Sequence, residues 1–224
     1  MASTSDQLFE TIEAGDAGGV DAILDADPAA ATARDASGVS ALMRALYRLD
    51  QALVDTVRKR VETLDVFEAA AFDDIDRLTV LLEDDPSLVN GYSGDGFTPL
   101  HLAAFFGSFE AARLLVERGA AVDAFGRGWM TGTAMHSAVS RLRSDVVRLL
   151  LEAGANPNAR QSAGWTPLHS AATNGDLAGA DLLLDAGADP TATNDEGRSV
   201  VDLANESGDE AIAARIRSAV QAAP

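Results

Sequence analysis

The sequence predicts an all-α protein: a solenoid of about six helix–turn–helix units joined by short β-hairpin-like fingers. The first observation is a seven-residue motif, Thr98–Ala104, whose copies begin again at Thr133, Thr166 and Ser199, in steps of 35, 33 and 33 residues. The second is a row of paired leucines with almost the same steps: Leu81–Leu82, Leu114–Leu115, Leu149–Leu150 and Leu182–Leu183. A fixed period of this size is typical of stacked repeats, in which each unit buries its apolar face against its neighbours.

Each residue of the motif suits the start of a helix. The Thr98 hydroxyl can accept a backbone N–H of the first turn, and Pro99 has no N–H that would lack a partner there. Ala103 and Ala104 are small enough to let neighbouring units approach closely. His101 can hydrogen-bond through either ring nitrogen, and we expect it to tie one unit to the next. A glycine is expected to end the second helix of three units: Gly119, Gly154 and Gly187.

Taken in order, the chain begins with two short amphipathic segments. Leu8, Phe9 and Ile12 predict a first helix, and Val20 and Leu24 lie on a second, so this pair is interpreted as a cap. A single domain over 1–224 is expected to divide at about 5–36 (N-terminal cap), 37–64 (shortened unit), 65–95, 96–130, 131–163, 164–196 and 197–220 (C-terminal cap).

The second unit is predicted to lack its finger. Only 25 residues separate Leu42 from Phe67, about eight fewer than the period requires. Residues 41–72 contain no Gly or Pro, and their apolar residues keep helical spacing: Leu46, Leu49, Leu53, Val57, Val61 and Leu64. We therefore expect mostly helix here, with a tight turn near residues 63–65 and Asp65 capping the following helix.

Two local features need a choice between interpretations. The acidic run Asp73–Asp76 resembles a calcium loop, but it lacks the required Gly and the closing Glu, so a helix N-cap is predicted instead. The finger at residues 124–132 is two residues longer than its counterparts and carries Trp129 and Met130. Trp129 either belongs to a binding surface or folds back over the neighbouring hairpin, and the sequence leaves both open.

Composition limits the classes of partner. The net charge is −18 and the pI about 4.3, which argues against nucleic acids and anionic membranes, because both are bound mainly by Lys and Arg. The acidity fits salt adaptation, a GC-rich genome or an acidic surface that attracts a basic partner. No apolar run approaches the ~18 residues that cross a bilayer. Without cysteines and without a signal-peptide pattern in residues 1–6, a cytoplasmic protein is expected.

The motif also carries a family resemblance. The chain resembles the ankyrin repeat family, most strongly over about residues 90–190, in a pattern that recurs at the period of that family. The residues that carry it are Gly96, Thr98, Pro99, Leu100, His101, Ala103, Ala104, Gly107, Leu114, Leu115, Gly119 and Ala120. The resemblance implies a solenoid that binds a protein partner along a concave face, which is lined by the finger tips and the first helix of each unit.

Family positions also imply which residues contact a partner. These positions are the residue before the Thr and the two residues after the paired alanines, and exposed aromatic and Arg side chains are common interface anchors. The candidates at these positions are Tyr47, Phe72, Phe97, Phe105, Phe106, Arg141, Trp165 and Asn174. Trp129 and Met130 are added to them because they lie on the longer finger. Some of the aromatic residues could instead pack between units, Phe105 above all. Because Leu142 replaces the glycine found at Gly107 and Gly175, the helix joint there is expected to differ.

Catalysis is not predicted. The only histidines, His101, His136 and His169, occupy the same position of the motif, whereas a base or metal ligand is expected at a singular place. No catalytic or cofactor motif is present, so the sequence predicts a non-catalytic, monomeric scaffold with a protein partner and neither metal nor cofactor. The alternatives are an acidic regulatory or antidote-like inhibitor of a basic protein, or a small-ligand binder or enzyme.

Overall fold

The computed structural model describes residues 3–128 and 131–222, and within these ranges it contains fourteen α-helices. Consecutive helices pack in pairs along one continuous core, which confirms the predicted all-α solenoid. No helix of the described ranges has the length and apolar character needed to cross a membrane. The helices are α1 (Thr4–Ala14), α2 (Ala17–Ala26), α3 (Ala41–Tyr47), α4 (Gln51–Arg58), α5 (Val66–Ala71), α6 (Ile75–Asp84), α7 (Pro99–Phe106), α8 (Phe109–Glu117), α9 (Ala134–Ser140), α10 (Ser144–Glu152), α11 (Pro167–Asn174), α12 (Leu177–Asp185), α13 (Val200–Glu206) and α14 (Glu210–Ala222).

The predicted caps begin the helices. The Thr98 hydroxyl accepts the backbone N–H of His101 at the start of α7. Asp65 caps α5, as its Oδ1 accepts the backbone N–H groups of Phe67 and Glu68 at 2.8 Å each. Asp74 caps α6, which confirms that this part of the acidic run is a helix cap. Each cap satisfies backbone donors that the first turn of a helix leaves unpaired.

The shortened second unit leaves a gap in the row of fingers. A linker of residues 59–65 joins α4 to α5 where a finger would otherwise lie, as the short spacing predicts. The fingers on either side, residues 33–40 and 91–98, touch each other across this gap. A Cβ atom built on Gly94 would lie only 1.8 Å from the carbonyl oxygen of Ser37, so this close approach of two backbones requires glycine.

Two exposed leucines, Leu49 and Leu142, have conformations that differ from the predictions made from the sequence. Leu49, predicted to lie in a helical apolar row, is 56% exposed and joins α3 to α4 with a left-handed φ of 56°. Leu142 joins α9 to α10 in the same way, with a φ of 57°, where Gly107 has a φ of 78°. The prediction that the joint at Leu142 differs from the other joints is therefore wrong for its backbone conformation. The backbone keeps the left-handed turn, although leucine adopts this conformation at a cost in free energy.

Replacing Leu142 with glycine is expected to raise the free energy of unfolding by about 0.5–1 kcal/mol, because a left-handed L-residue costs about 1–2 kcal/mol and part of this gain is lost to the flexible unfolded chain. The leucine side chain is 55% exposed, so its removal sacrifices little packing. The opposite change, Gly107→Ala, should destabilise the protein, since its Cβ would lie 2.6 Å from Nε of Arg143. Urea unfolding checks both; a less stable Leu142→Gly variant would show that side-chain packing outweighs the strain.

Candidate functional site

The motif histidines tie successive units together. His101 Nδ1 accepts the hydroxyl of Thr98 at 2.7 Å, and its Nε2 donates to the carbonyl of Gly132 in the next finger at 3.1 Å. His136 repeats this arrangement, with Nε2 donating to the carbonyl of Trp165 at 3.2 Å. The predicted tie between units is thereby confirmed for these two histidines. Burial lowers the pKa of both, and their ring nitrogens are occupied by structural hydrogen bonds.

No metal-binding cluster of His, Asp or Glu side chains occurs in the described ranges. Most of the anchors predicted from the sequence lie on the first-helix face, the side of the molecule formed by the C-terminal ends of α3, α7, α9 and α11. Among the predicted anchors, Tyr47, Phe72, Phe105, Phe106, Arg141 and Trp165 are half-buried and Asn174 is exposed.

Four of these residues form a continuous stack, which we call the aromatic ladder: Tyr47, Phe106, Phe105 and Arg141. The rings of Tyr47 and Phe106 stack with centroids 6.1 Å apart, and Phe105 meets Phe106 edge to face at 5.1 Å. The guanidinium carbon of Arg141 lies 5.0 Å from the centroid of Phe105. Such aromatic and cation–π pairs hold large side chains in place while part of their surface stays open.

The ladder is anchored at its Tyr47 end. The hydroxyl oxygen of Tyr47 is buried. Its burial, and then the carboxylate of Asp95, raise the pKa of the phenol, so it stays protonated. At the other end, Nε of Arg141 is buried and meets no hydrogen-bond acceptor within the described ranges. An unpaired buried donor is costly, so the position of the Arg141 side chain is held mainly by its packing against Phe105.

A polar groove continues the face beyond the ladder. Its volume is about 400 Å³, and Ser140, the neighbour of Arg141, forms one wall. Trp165 lines the groove and tilts against His169 with ring centroids 5.9 Å apart. The remaining walls are polar or small: Gln161, Ser162, Ala163, Ser170, Thr173 and Asn174. The structure thus places Arg141, Trp165 and Asn174 along one surface, together with groove residues that the sequence analysis missed.

Phe97 was predicted to be an exposed anchor, and this prediction is wrong because the residue is buried. Its side chain is only 2% exposed and packs in a small core cluster with Val39, Met43 and Leu102. Because one finger is missing, residues of the finger at 33–40 lie against those at 91–98 and cover Phe97. Phe72 packs against the main core as well, but it keeps some exposure. The predicted anchors Trp129 and Met130 lie outside the described residues.

The fingers add a contact that periodicity did not reveal. The guanidinium carbon of Arg127 lies 3.7 Å from the ring centroid of Tyr92, and the Tyr92 hydroxyl donates to the carbonyl of Phe125 at 3.1 Å. The signal in the sequence was an Arg and a Tyr at similar positions of adjacent fingers. This pair joins the two fingers and leaves Phe125 45% exposed beside the long finger.

Comparison with known families gives a direct match. A family model described as ankyrin repeats (3 copies) matches residues 66–161 and 131–194, so that together the matches cover more than half of the chain. The first match begins at the helix capped by Asp65, and both include the regular units with the Thr–His motif.

Curated relatives share the same repeats. A putative ankyrin repeat protein of Rickettsia felis is 35% identical over 144 residues, 61% of this chain and 62% of that protein. Ankyrin repeat and SAM domain-containing protein 6 of Mus musculus is 35% identical over 104 residues, 46% of this chain and 11% of that protein. The B-cell lymphoma 3 protein homolog of Mus musculus is 42% identical over 83 residues, 37% of this chain and 18% of that protein. The chain therefore spans less than two thirds of each of these relatives.

Proposed function

The chain belongs to the ankyrin repeat family, and we propose that it is a non-catalytic scaffold that binds one protein partner along its first-helix face. Ankyrin repeats are generally protein–protein interaction modules. The observation that carries the proposal is the unbroken surface from the aromatic ladder into the polar groove. It combines half-buried aromatic side chains and a guanidinium, which are residue types enriched at protein interfaces, with the small polar residues of the groove beside them.

The ladder supplies the anchors in this proposal. Phe105 and Phe106 hold each other edge to face, so a partner meets aromatic surface whose side-chain entropy has already been lost. Arg141 is only half-buried, and the exposed part of its guanidinium can bind a carboxylate or carbonyl of the partner. Trp165 and Asn174 then contact a second part of the partner in the groove. Contact over α3, α7, α9 and α11 is long enough to give the partner a single orientation.

A double variant tests the anchors. Phe106→Ala with Trp165→Ala is expected to weaken partner capture from the native lysate at least about tenfold, because buried aromatic anchors contribute about 2 kcal/mol or more each. A photo-crosslinking residue at the exposed Asn174 should label the same partner, whereas one at Val80, 47% exposed on the second-helix side, should not. Asn174→Arg probes the groove without touching the core. The double variant must keep the parental circular dichroism and melting temperature.

The same experiment distinguishes aromatic anchoring from the alternative function, which is capture of a basic protein through the net charge of −18. Long-range attraction between exposed charges is screened as the Debye length falls from about 10 Å at 0.1 M salt to about 3 Å at 1 M. A complex that survives high salt in the parent but not in the double variant supports aromatic anchoring. Equal capture by parent and double variant, with loss of both at high salt, would contradict the proposed anchors and favour the charged surface.

A further inference from the structure

The missing finger leaves a cavity of about 490 Å³. It lies between the finger at 33–40, the linker at 59–65 and the helices α5 and α6. The tips of the neighbouring fingers meet at Ser37 and Gly94 beside this space. Its volume falls within the roughly 300–1,000 Å³ of typical small-ligand sites, which also combine apolar walls with a few converging polar groups.

One side of the cavity is apolar. Leu64 and Phe67 come from the linker and α5, and Leu81 and Leu88 from α6 and the 3₁₀ turn after it. Leu64 is buried, and the other three keep some exposure toward the cavity.

The lining of the cavity also carries a charge network. Glu68 is only 4% exposed, accepts the Ser40 hydroxyl at 2.5 Å through Oε1 and accepts the Asp65 backbone N–H at 2.9 Å through Oε2. Asp65 is paired with Arg34 at 2.7 Å. Burial, and then the charge of Asp65, raise the pKa of Glu68. Each acidic group of the cavity is thus already engaged, which leaves little capacity for a cation.

Arg77 has N–H donors that form no hydrogen bond within the described residues. Its Nε donates to the carbonyl of Leu64 at 2.8 Å, which holds the guanidinium at the cavity wall. The two terminal nitrogens form neither a hydrogen bond nor an ion pair with any residue of the described ranges. A guanidinium fixed through Nε presents its remaining N–H groups in the geometry that suits a carboxylate.

We propose that this cavity is a binding site for a small carboxylate with an apolar body, in which Arg77 holds the carboxylate and Leu81 and Leu88 cover the apolar part. The site depends on the absent finger and on residues of the first three units, and it shares no lining residue with the aromatic ladder or the polar groove. Binding there does not require the protein partner proposed above. Although the chain is strongly acidic, the four charged groups of the cavity, Arg34, Asp65, Glu68 and Arg77, balance.

Titration calorimetry with octanoate tests the site. The full chain is expected to bind octanoate saturably and to bind octan-1-ol, which lacks the carboxylate, at least about tenfold more weakly, because the alcohol cannot form the charge-assisted hydrogen bonds of a carboxylate with Arg77. Arg77→Gln should weaken octanoate binding by a similar factor. Arg148→Gln, which removes the same charge from an exposed position on α10, should change it less than about twofold.

A second variant guards against misfolding at Arg77. Thr63→Trp places a large side chain into the cavity from the exposed linker and keeps Arg77, so it should also abolish octanoate binding while circular dichroism stays parental. Methyl resonances of Leu81 and Leu88 should shift on titration of the parent. The proposal is overturned if the parent shows no saturable binding, if Arg77→Gln binds octanoate like the parent, or if octan-1-ol binds equally well.

Discussion

Replacing Leu115 with alanine is expected to lower the free energy of unfolding by about 2–5 kcal/mol, the range for a leucine removed from a well-packed core. Leu115 is fully buried in α8, which packs between α6 and α10 in the middle of the solenoid. Each unit of a solenoid contacts only its neighbours, so a cavity at this place weakens the coupling between the two halves of the chain as well as the local unit.

Two probes separate these effects. Both tryptophans follow Leu115 in the sequence, so their fluorescence reports on the C-terminal half, whereas circular dichroism reports on all helices. The parent should unfold in urea with coincident transitions, and Leu115→Ala should shift both midpoints down and separate them. Val80→Ala, at a 47% exposed position of α6, is the matched control and should change stability by less than about 0.5 kcal/mol. An unchanged midpoint in Leu115→Ala would contradict its place in the core.

The local chemistry of the fold could be predicted because it depends on residues close in sequence. Thr98 and His101 are three positions apart, so the cap they form follows from helix geometry alone. The short spacing between Leu42 and Phe67 likewise predicted the missing finger and the cap at Asp65, since a chain with too few residues cannot form the hairpin.

The candidate site was only partly predictable, because burial depends on residues distant in sequence. Phe97 occupies a family contact position, yet the missing finger brings Val39 and Met43 over it. Spacing also could not reveal that Leu49 leaves the helix for a left-handed turn, since leucine rarely adopts this conformation. The apolar spacing of the surrounding residues offered no warning.

The cavity was hidden for the same reason. Arg34, Glu68 and Arg77 are far enough apart in sequence that no motif joins them, and only the stacking of units brings them to one space. Glu68 stands where the regular units have the motif histidine, 33 residues before His101. This departure from the repeat was the visible signal, because a residue that differs at a periodic structural position has lost the usual partner or gained another.

The stability of the chain is expected to fall as the pH is lowered from about 6.5 toward 4, because the three motif histidines are neutral in the folded state. Burial, the main cause, lowers the pKa of His101 and His169, and it lowers that of His136 to about 4. In His101 and His136, Nδ1 accepts a threonine hydroxyl, and a proton on this nitrogen would break that bond. The unfolded chain, whose histidines titrate near 6.5, therefore binds more protons in this window.

The free energy of unfolding falls with the pH because the unfolded chain binds more protons than the folded chain. A histidine whose pKa is lower in the folded state contributes its full stability at pH values above its unfolded pKa. As the pH falls below the unfolded pKa, protons bind the unfolded chain more than the folded chain, and this contribution decreases. A drop from 6.5 to about 4 for His136 corresponds to on the order of 3 kcal/mol. Glu68 acts in the opposite sense, since its raised pKa favours folding at the acidic end and reduces the net loss. The lowered pKa values of Asp6, Asp35, Asp85 and Asp202 act in the same sense as the histidines, but their contribution is lost only below about pH 5, as the unfolded carboxyls begin to bind protons.

Urea unfolding at a series of pH values from about 7.5 to 4.5 measures the effect, with the unfolded histidine pKa of about 6.5 as reference. His136→Gln should be less stable than the parent at neutral pH, because it loses the fixed ring that links Thr133 to the carbonyl of Trp165. Its stability should nevertheless depend less on pH, since glutamine does not titrate. Nitrogen chemical shifts of His136 should show Nε2 protonated and Nδ1 unprotonated down to about pH 5. Titration of this ring near its ordinary pKa would contradict the structural role of the histidine, and with it the origin of the acid sensitivity.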